Sequence, residues 1–260
     1  MLNYAEYVSG ISFRFIQPRT PMPIREEYYD KRLEKILSRG RVGLPEKIGT
    51  ALEYFNTVFP EDDSRMKAAL RRISGVPRMS TLAIAGMINR AVAGMDPAEL
   101  FVNVGVWHGF TFLAGIVGNP EKKCVGVDNF SQFGGPRSEF LKRFEQIKSG
   151  NHTFYDMDYV EYFSTVHRDP IGFYIYDGGH EYGDQLKGLR LAEPFFSKNC
   201  VVLVDDVNWP EPRNATLDFI SQSSNQYRVL LDVATPGNCH PTFWNGVLVF
   251  ERIAGSGRPT

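Results

Sequence analysis

The stretch Phe101-Val102-Asn103-Val104-Gly105-Val106-Trp107-His108-Gly109-Phe110-Thr111 decides the fold. An apolar, β-branched run stops at a glycine, turns through a second glycine and re-enters the chain as a helical pattern. That is a strand, glycine loop and helix in succession. Gly105 and Gly109 let the backbone approach a ligand closely, and the helix start offers free N–H donors to a polar or anionic group. The dinucleotide fingerprint G-x-G-x-x-G does not fit, because Trp107 and Phe110 stand where its second and third glycines belong.

Working outward toward the C-terminus, short apolar runs alternate with helical patterns, as expected of βαβ units around a parallel sheet. The runs are residues 100–106, 123–127, 152–155, 172–176, 200–204, 227–233 and 246–252, with helices expected over 111–117, 137–148, 181–196 and 214–222. No helix-length segment separates the last two runs, so they are expected to pair antiparallel. Toward the N-terminus the texture is helical, at 25–38, 48–59, 63–73 and 81–93, the last capped by Ser80 and ending near Gly94. The run Gln17-Pro18-Arg19-Thr20-Pro21-Met22-Pro23 reads as an extended arm. The expectation is an α/β, doubly wound, seven-stranded and mostly parallel sheet over residues 96–260, with an N-terminal helical segment, 1–95, as lid or oligomer contact.

Composition narrows the function classes. Across 260 residues, 29 Lys+Arg face 30 Asp+Glu, a net charge of −1, so no polycationic surface for nucleic acid is expected. A hydrophobic content of 43% and an aromatic content of 13% give material for a true core. Three cysteines without close pairing (Cys124, Cys200, Cys239) suit a reducing compartment. The first residues, Met-Leu-Asn-Tyr-Ala-Glu-Tyr, show neither a basic n-region nor an apolar h-region, and no run approaches about 18 apolar residues, so the expectation is a soluble, unexported, cytoplasmic protein without a membrane partner.

In a doubly wound sheet, ligands bind at the carboxyl ends of the strands. The second run ends at Asp128, 23 residues after Gly105, where a carboxylate can take both hydroxyls of a ribose. Asp158, after the third run, can accept from an adenine amino group, as can its neighbour Asp156. The fourth run ends Asp177-Gly178-Gly179-His180-Glu181-Tyr182 and the fifth ends Asp205-Asp206. Three carboxylates at one sheet edge repel unless a cation or donors stand among them, and hard oxygen ligands suit magnesium, manganese or calcium.

Together the Gly105-x-x-x-Gly109 loop, Asp128, the Asp177-Gly-Gly-His-x-Tyr182 turn and the Asp205-Asp206 pair resemble the class I S-adenosylmethionine-dependent methyltransferases. Among these, the chain is similar to the metal-dependent sugar O-methyltransferases of the macrocin and mycinamicin group, and to the cephalosporin hydroxylase-like proteins, over roughly residues 79–251. The resemblance implies that Gly105 and Gly109 hold the methionine part of S-adenosylmethionine, that Asp128 holds its ribose, and that Asp177, Asp205 and Asp206 bind magnesium or manganese. Asn103 and Asp177 are expected beside the cofactor as well. Two departures stand out: Asn103 replaces the acid of many class I members, and Gly179 occupies the place of a catalytic acid used in some sugar methyltransferases. Other members of the group are similar in using a histidine three residues after the first metal aspartate, the place of His180, so the resemblance implies His180 as the general base, acting on a sugar or phenolic hydroxyl of a small-molecule acceptor. Trp209, His240, Phe243 and Trp244 are candidate acceptor contacts. The rivals are a cofactor-binding subunit without catalysis and a nicotinamide dehydrogenase; the missing glycine and the acidic cluster weigh against the latter. No G-x-S-x-G elbow supports a hydrolase.

Overall fold

A computed structural model describes residues 2–13, 50–51, 53–240 and 242–253. The expected Pro-rich arm and the helix at 25–38 lie outside them. The described chain opens with α1 (Tyr4–Gly10), a short strand β1 (Ser12–Phe13) and helical residues 50–51 and 53–56. It continues with β2 (Thr57–Val58), α2 (Ser64–Leu70) and α3 (Leu82–Gly94). The α/β part follows as β3 (Leu100–Val104), α4 (Phe110–Ile116), β4 (Lys123–Asp128), α5 (Arg137–Ile147) and β5 (His152–Asp156). After a short helical stretch over 159–166 come β6 (Ile171–Tyr176), α6 (Tyr182–Ala192), β7 (Phe196–Asp205), α7 (Pro210–Gln222), β8 (Gln226–Val233) and β9 (Val247–Ile253).

The seven-stranded sheet has the order β5-β4-β3-β6-β7-β9-β8. Every pairing from β5 to β7 is parallel, and β9 runs antiparallel to both β7 and β8. The chain leaves β3 in one direction through β4 and β5, then crosses back to β6 on the other side of β3. The gap between the carboxyl ends of β3 and β6 is thus the topological switch point, where a crevice must open.

Strict alternation along the strands explains why both faces are covered. Leu100, Val102 and Val104 join Tyr174, Tyr176, Val202 and Val204 against Leu189 and Phe219, while Phe101, Phe173, Ile175 and Leu203 turn to the opposite face. That second face receives α3, buried nearly all round, together with α4 and the Phe140–Phe144 side of α5. Tyr4, Ile73 and Ile84 belong to the same hydrophobic cluster as Phe112 and Val249, so the N-terminal helices share one core with the sheet. Among the described residues, no helix is long and apolar enough to cross a membrane.

Several element boundaries differ from expectation for local reasons. The helix expected to reach 196 ends at Ala192, because Pro194 cannot supply a helical N–H, and β7 begins at Phe196. The helix expected over 48–59 gives way at Thr57, whose β-branched pair Thr57–Val58 zips to Ser12–Phe13. The cap of α3 is Thr81 rather than Ser80: the Thr81 hydroxyl accepts from the Ile84 N–H at 3.3 Å and donates to the Thr242 carbonyl at 2.5 Å.

Candidate functional site

Gly105 ends β3 with φ +79°, and a Cβ there would come within 1.8 Å of the Asp177 carbonyl oxygen. Only glycine allows the first loop and the Asp177 turn to approach this closely, so the two motifs form one wall at the switch point. The Asp177 N–H donates to the Val104 carbonyl at 2.8 Å, which locks that approach. Gly109 opens α4 in the left-handed region, φ +100°, packed against Phe140.

Asp128 shapes the same loop from the other side. One of its oxygens accepts from the Val106 and Trp107 N–H groups, both at 2.7 Å, and the other accepts from Phe130 N–H at 2.6 Å. Oδ2 already accepts twice, but Oδ1 keeps a second lone pair, so the strut can also receive a hydroxyl donor from the cleft it lines. Asp158 behaves similarly: it caps the helical stretch through Val160 N–H at 2.8 Å, accepts from Asn129 at 3.4 Å, and lines the cleft. Asn103 does not reach the cleft. Its side chain is fully buried on the α3–α4 face and donates to the Gly105 carbonyl at 3.0 Å, bracing the loop from beneath. Asp156 pairs with Arg137, a partner that accounts for its charge.

Across the switch point the charges are less well matched. Asp177, His180 and Asp205 each offer a ligand atom within 4.8 Å of the other two. Asp205 is 5% exposed, and its Oδ1 has no hydrogen-bond partner among the described residues. Burial, reinforced by the charges of Asp177 and Asp206, holds the Asp205 carboxyl well above the usual carboxylate range; burial raises Asp177 as well. Asp206 takes a left-handed φ of +57°, which turns its side chain into the cleft beside His180. His180 Nε2 lies 2.9 Å from Asp206 Oδ2 and 3.7 Å from Asp177 Oδ1. Burial alone would discharge this ring, but its two acidic neighbours override burial and push its pKa up to about 11. In this state His180 is an imidazolium, the cation that the acids require, and it has no lone pair with which to accept a proton.

The donor set fits a hard divalent ion. Asp205 Oδ1 is an orphaned buried oxygen, costly to leave without a partner, and the three ligand atoms enclose a space of ionic size. The sequence reading placed both Asp205 and Asp206 on the ion. The geometry gathers Asp205 with Asp177 and His180, while both oxygens of Asp206 are engaged, one by His180 and the other by Asn245 Nδ2 at 2.6 Å.

A cleft of about 710 Å³ runs along this edge, lined by Gly105, Trp107, Asp128, Asp158, Asp177, His180 and Asp206. Gly109, Asn103 and Asp205 stand behind its wall. Of the candidate acceptor contacts, Trp209 and Trp244 line it, with Trp209 set edge-on to the His180 ring at 5.5 Å. Phe243 packs on Phe13 at 6.2 Å, and His240 bonds Thr242 within its own loop. Sequence reading missed Arg78, Tyr159, Lys187 and Asn245, all of which line the cleft. None sits in a motif, and their positions are set by tertiary packing.

Residues 102–207, which contain every predicted catalytic, cofactor and metal residue but none of the candidate acceptor contacts, match the family model described as Methyltransferase domain. No curated protein matches the chain. Among solved structures, cofactor-bound Rv0187 from MTB aligns with a TM-score of 0.54 at 13% identity, over 92% of this chain and 99% of that one. An O-methyltransferase from Bacillus cereus in complex with SAH aligns with a TM-score of 0.52 at 11% identity, over 74% of this chain and 92% of that one. TomG from Streptomyces achromogenes, an O-methyltransferase involved in tomaymycin synthesis and solved with SAM, gives 0.50 at 11% identity over 74% and 91%. At these identities the likeness speaks for the fold. The switch-point geometry and the strand order agree with that likeness: the chain has the mostly parallel, Rossmann-like fold of the methyltransferases, and its residues 102–207 match the methyltransferase-domain model.

Proposed function

We propose that the protein is an S-adenosylmethionine-dependent O-methyltransferase that uses a divalent cation, magnesium or manganese, and acts on a hydroxyl of a sugar or small phenolic compound. The observation carrying this reading is the fit of Gly105 against Asp177, which makes the nucleoside side and the acidic side of the edge two halves of one cleft.

Bound S-adenosylmethionine supplies the methyl group, and a divalent cation supplies a positive charge that lowers the pKa of an adjacent hydroxyl. The chain's own residues do the rest. Asp128 orients the ribose, and the glycine loop admits the methionine end, so that the displacement at the methyl carbon can be in line. Asp177 and Asp205 hold the cation, with Asp206 alongside. His180, although its ring lies within reach of the same ion, stays off it and serves as base in its neutral form: charge neutralised on the acids no longer retains the ring proton, and the freed nitrogen receives one from the acceptor. Trp209 and Trp244 offer flat apolar surfaces against which a sugar face or an aromatic ring can stack.

The test is transfer of labelled methyl from S-adenosylmethionine to a panel of phenols and glycosides, with MgCl2 and with chelator. The reading expects cation-dependent labelling that Asp128→Ala and Asp205→Asn both abolish. Labelling unaffected by chelator would overturn the cation role. Failure of the wild type to bind S-adenosylhomocysteine would overturn the cofactor assignment.

A further inference from the structure

We propose that Asn245 is a positioning residue that ties the cation site to the loop forming the acceptor side of the cleft, so that loading the site stiffens that loop. The inference rests on the cation reading above. Asn245 lies outside the family match, between β8 and β9, and is 4% exposed. Its amide is used at both ends. Nδ2 donates to Asp206 Oδ1 at 2.6 Å, and Oδ1 accepts from the Cys239 N–H at 2.6 Å. Its backbone carbonyl accepts from Asn208 N–H at 2.7 Å, two residues past Asp206.

One planar group thus spans the acidic cluster and the 234–246 connection. Clamping Oδ1 of Asp206 leaves Oδ2 directed at His180, which sets the carboxylate's orientation in the site. At the other end, Cys239 and Trp244 line the cleft in left-handed backbone conformations, φ +58° and +53°, bridged by the paired backbones of His240 and Trp244. Such conformations persist only where surrounding bonds over-determine them, and the Asn245 amide supplies one of those bonds. A cation on Asp177 and Asp205 lies beside the His180–Asp206 pair; by holding that pair in place it fixes the acceptor for Nδ2, and through the rigid amide it holds the acceptor for Cys239 N–H.

The experiment uses the full chain and MnCl2 as probe. Calorimetric titration should show Mn²⁺ affinity falling at least about tenfold in Asn245→Ala, the loss usual when a partner that orients a metal site is removed. Hydrogen exchange over residues 235–245 should slow on adding MnCl2 to the wild type and stay unchanged in the variant. Equal Mn²⁺ affinity in both proteins, or exchange in the wild-type loop indifferent to bound Mn²⁺, would overturn the proposal. The wild-type exchange arm remains decisive if the variant does not fold. A wild type that binds no Mn²⁺ at all would instead defeat the cation reading, and this inference with it.

Discussion

The two halves of the cleft, built from the same kind of strand ends, differ in how their polar groups are satisfied. On the β3–β4 side, Asp128 takes three backbone N–H groups and Asp158 is bonded as a cap, so this half is complete before any ligand arrives. On the β6–β7 side, three acids share one imidazolium and Asp205 Oδ1 has no partner among the described residues. A pre-satisfied half is a preformed binding surface. A half left with an unpartnered buried carboxyl carries strain that the rest of the fold must offset, and the proposed cation would relieve it.

The largest effect should come from breaking the seam that joins the halves. Gly105→Ala drives a methyl group into the Asp177 carbonyl at a positive φ, and should cost at least about 3 kcal/mol in urea unfolding and abolish S-adenosylhomocysteine binding. A stable, binding-competent variant would show that the close approach is not required. Next in size, Asp205→Asn should remove the carboxyl whose proton the fold has to retain, raise the metal-free melting temperature by about 2–4 °C for each kcal/mol recovered, and eliminate any thermal shift from MnCl2.

The pH dependence has a definite sign. Asp205 has its pKa raised on folding, so the folded protein retains a proton that the unfolded chain releases near pH 4. Metal-free stability should therefore fall as pH rises from about 4 toward neutrality, and Asp205→Asn should flatten that slope. An unchanged slope in denaturant titrations across this range would place the strain elsewhere.

Asp128→Asn probes the satisfied half. It keeps the side chain's shape but loses the charge and part of the acceptor set, and should weaken S-adenosylhomocysteine binding about tenfold by calorimetry without altering Mn²⁺ affinity. Coupled losses of both ligands would erase the distinction between the halves. The smallest effect is expected at the acceptor wall: Trp209→Ala should raise KM for an accepted hydroxyl compound about fivefold, with kcat changed less.

Much of this was legible from residue pattern, and the reasons are local. The inner strands β3, β4, β6, β7 and β9 are apolar runs buried over most of their length, and the acids that matter sit where such runs stop. Helix α1 was not legible, because Tyr4 and Tyr7 are buried by what packs on them rather than by any periodic signal in seven residues. The separate fates of Asp205 and Asp206 were hidden too. They are adjacent, yet one is turned inward by strand alternation and the other into the cleft by a left-handed backbone that sequence does not announce. Asn245 escaped for a topological reason: its nearness to Asp206 follows from β9 pairing antiparallel with β7, a contact across 39 positions.

The central claim is that a cation on the acids and the sulfur end of the cofactor occupy one crevice. Broadening by Mn²⁺ of the proton resonances of bound S-adenosylhomocysteine tests it directly. The account predicts that the methylene protons beside sulfur broaden strongly and the adenine protons weakly in the wild type, and that both sharpen in Asp205→Asn. Equal broadening along the ligand, or broadening that survives Asp205→Asn, would contradict it.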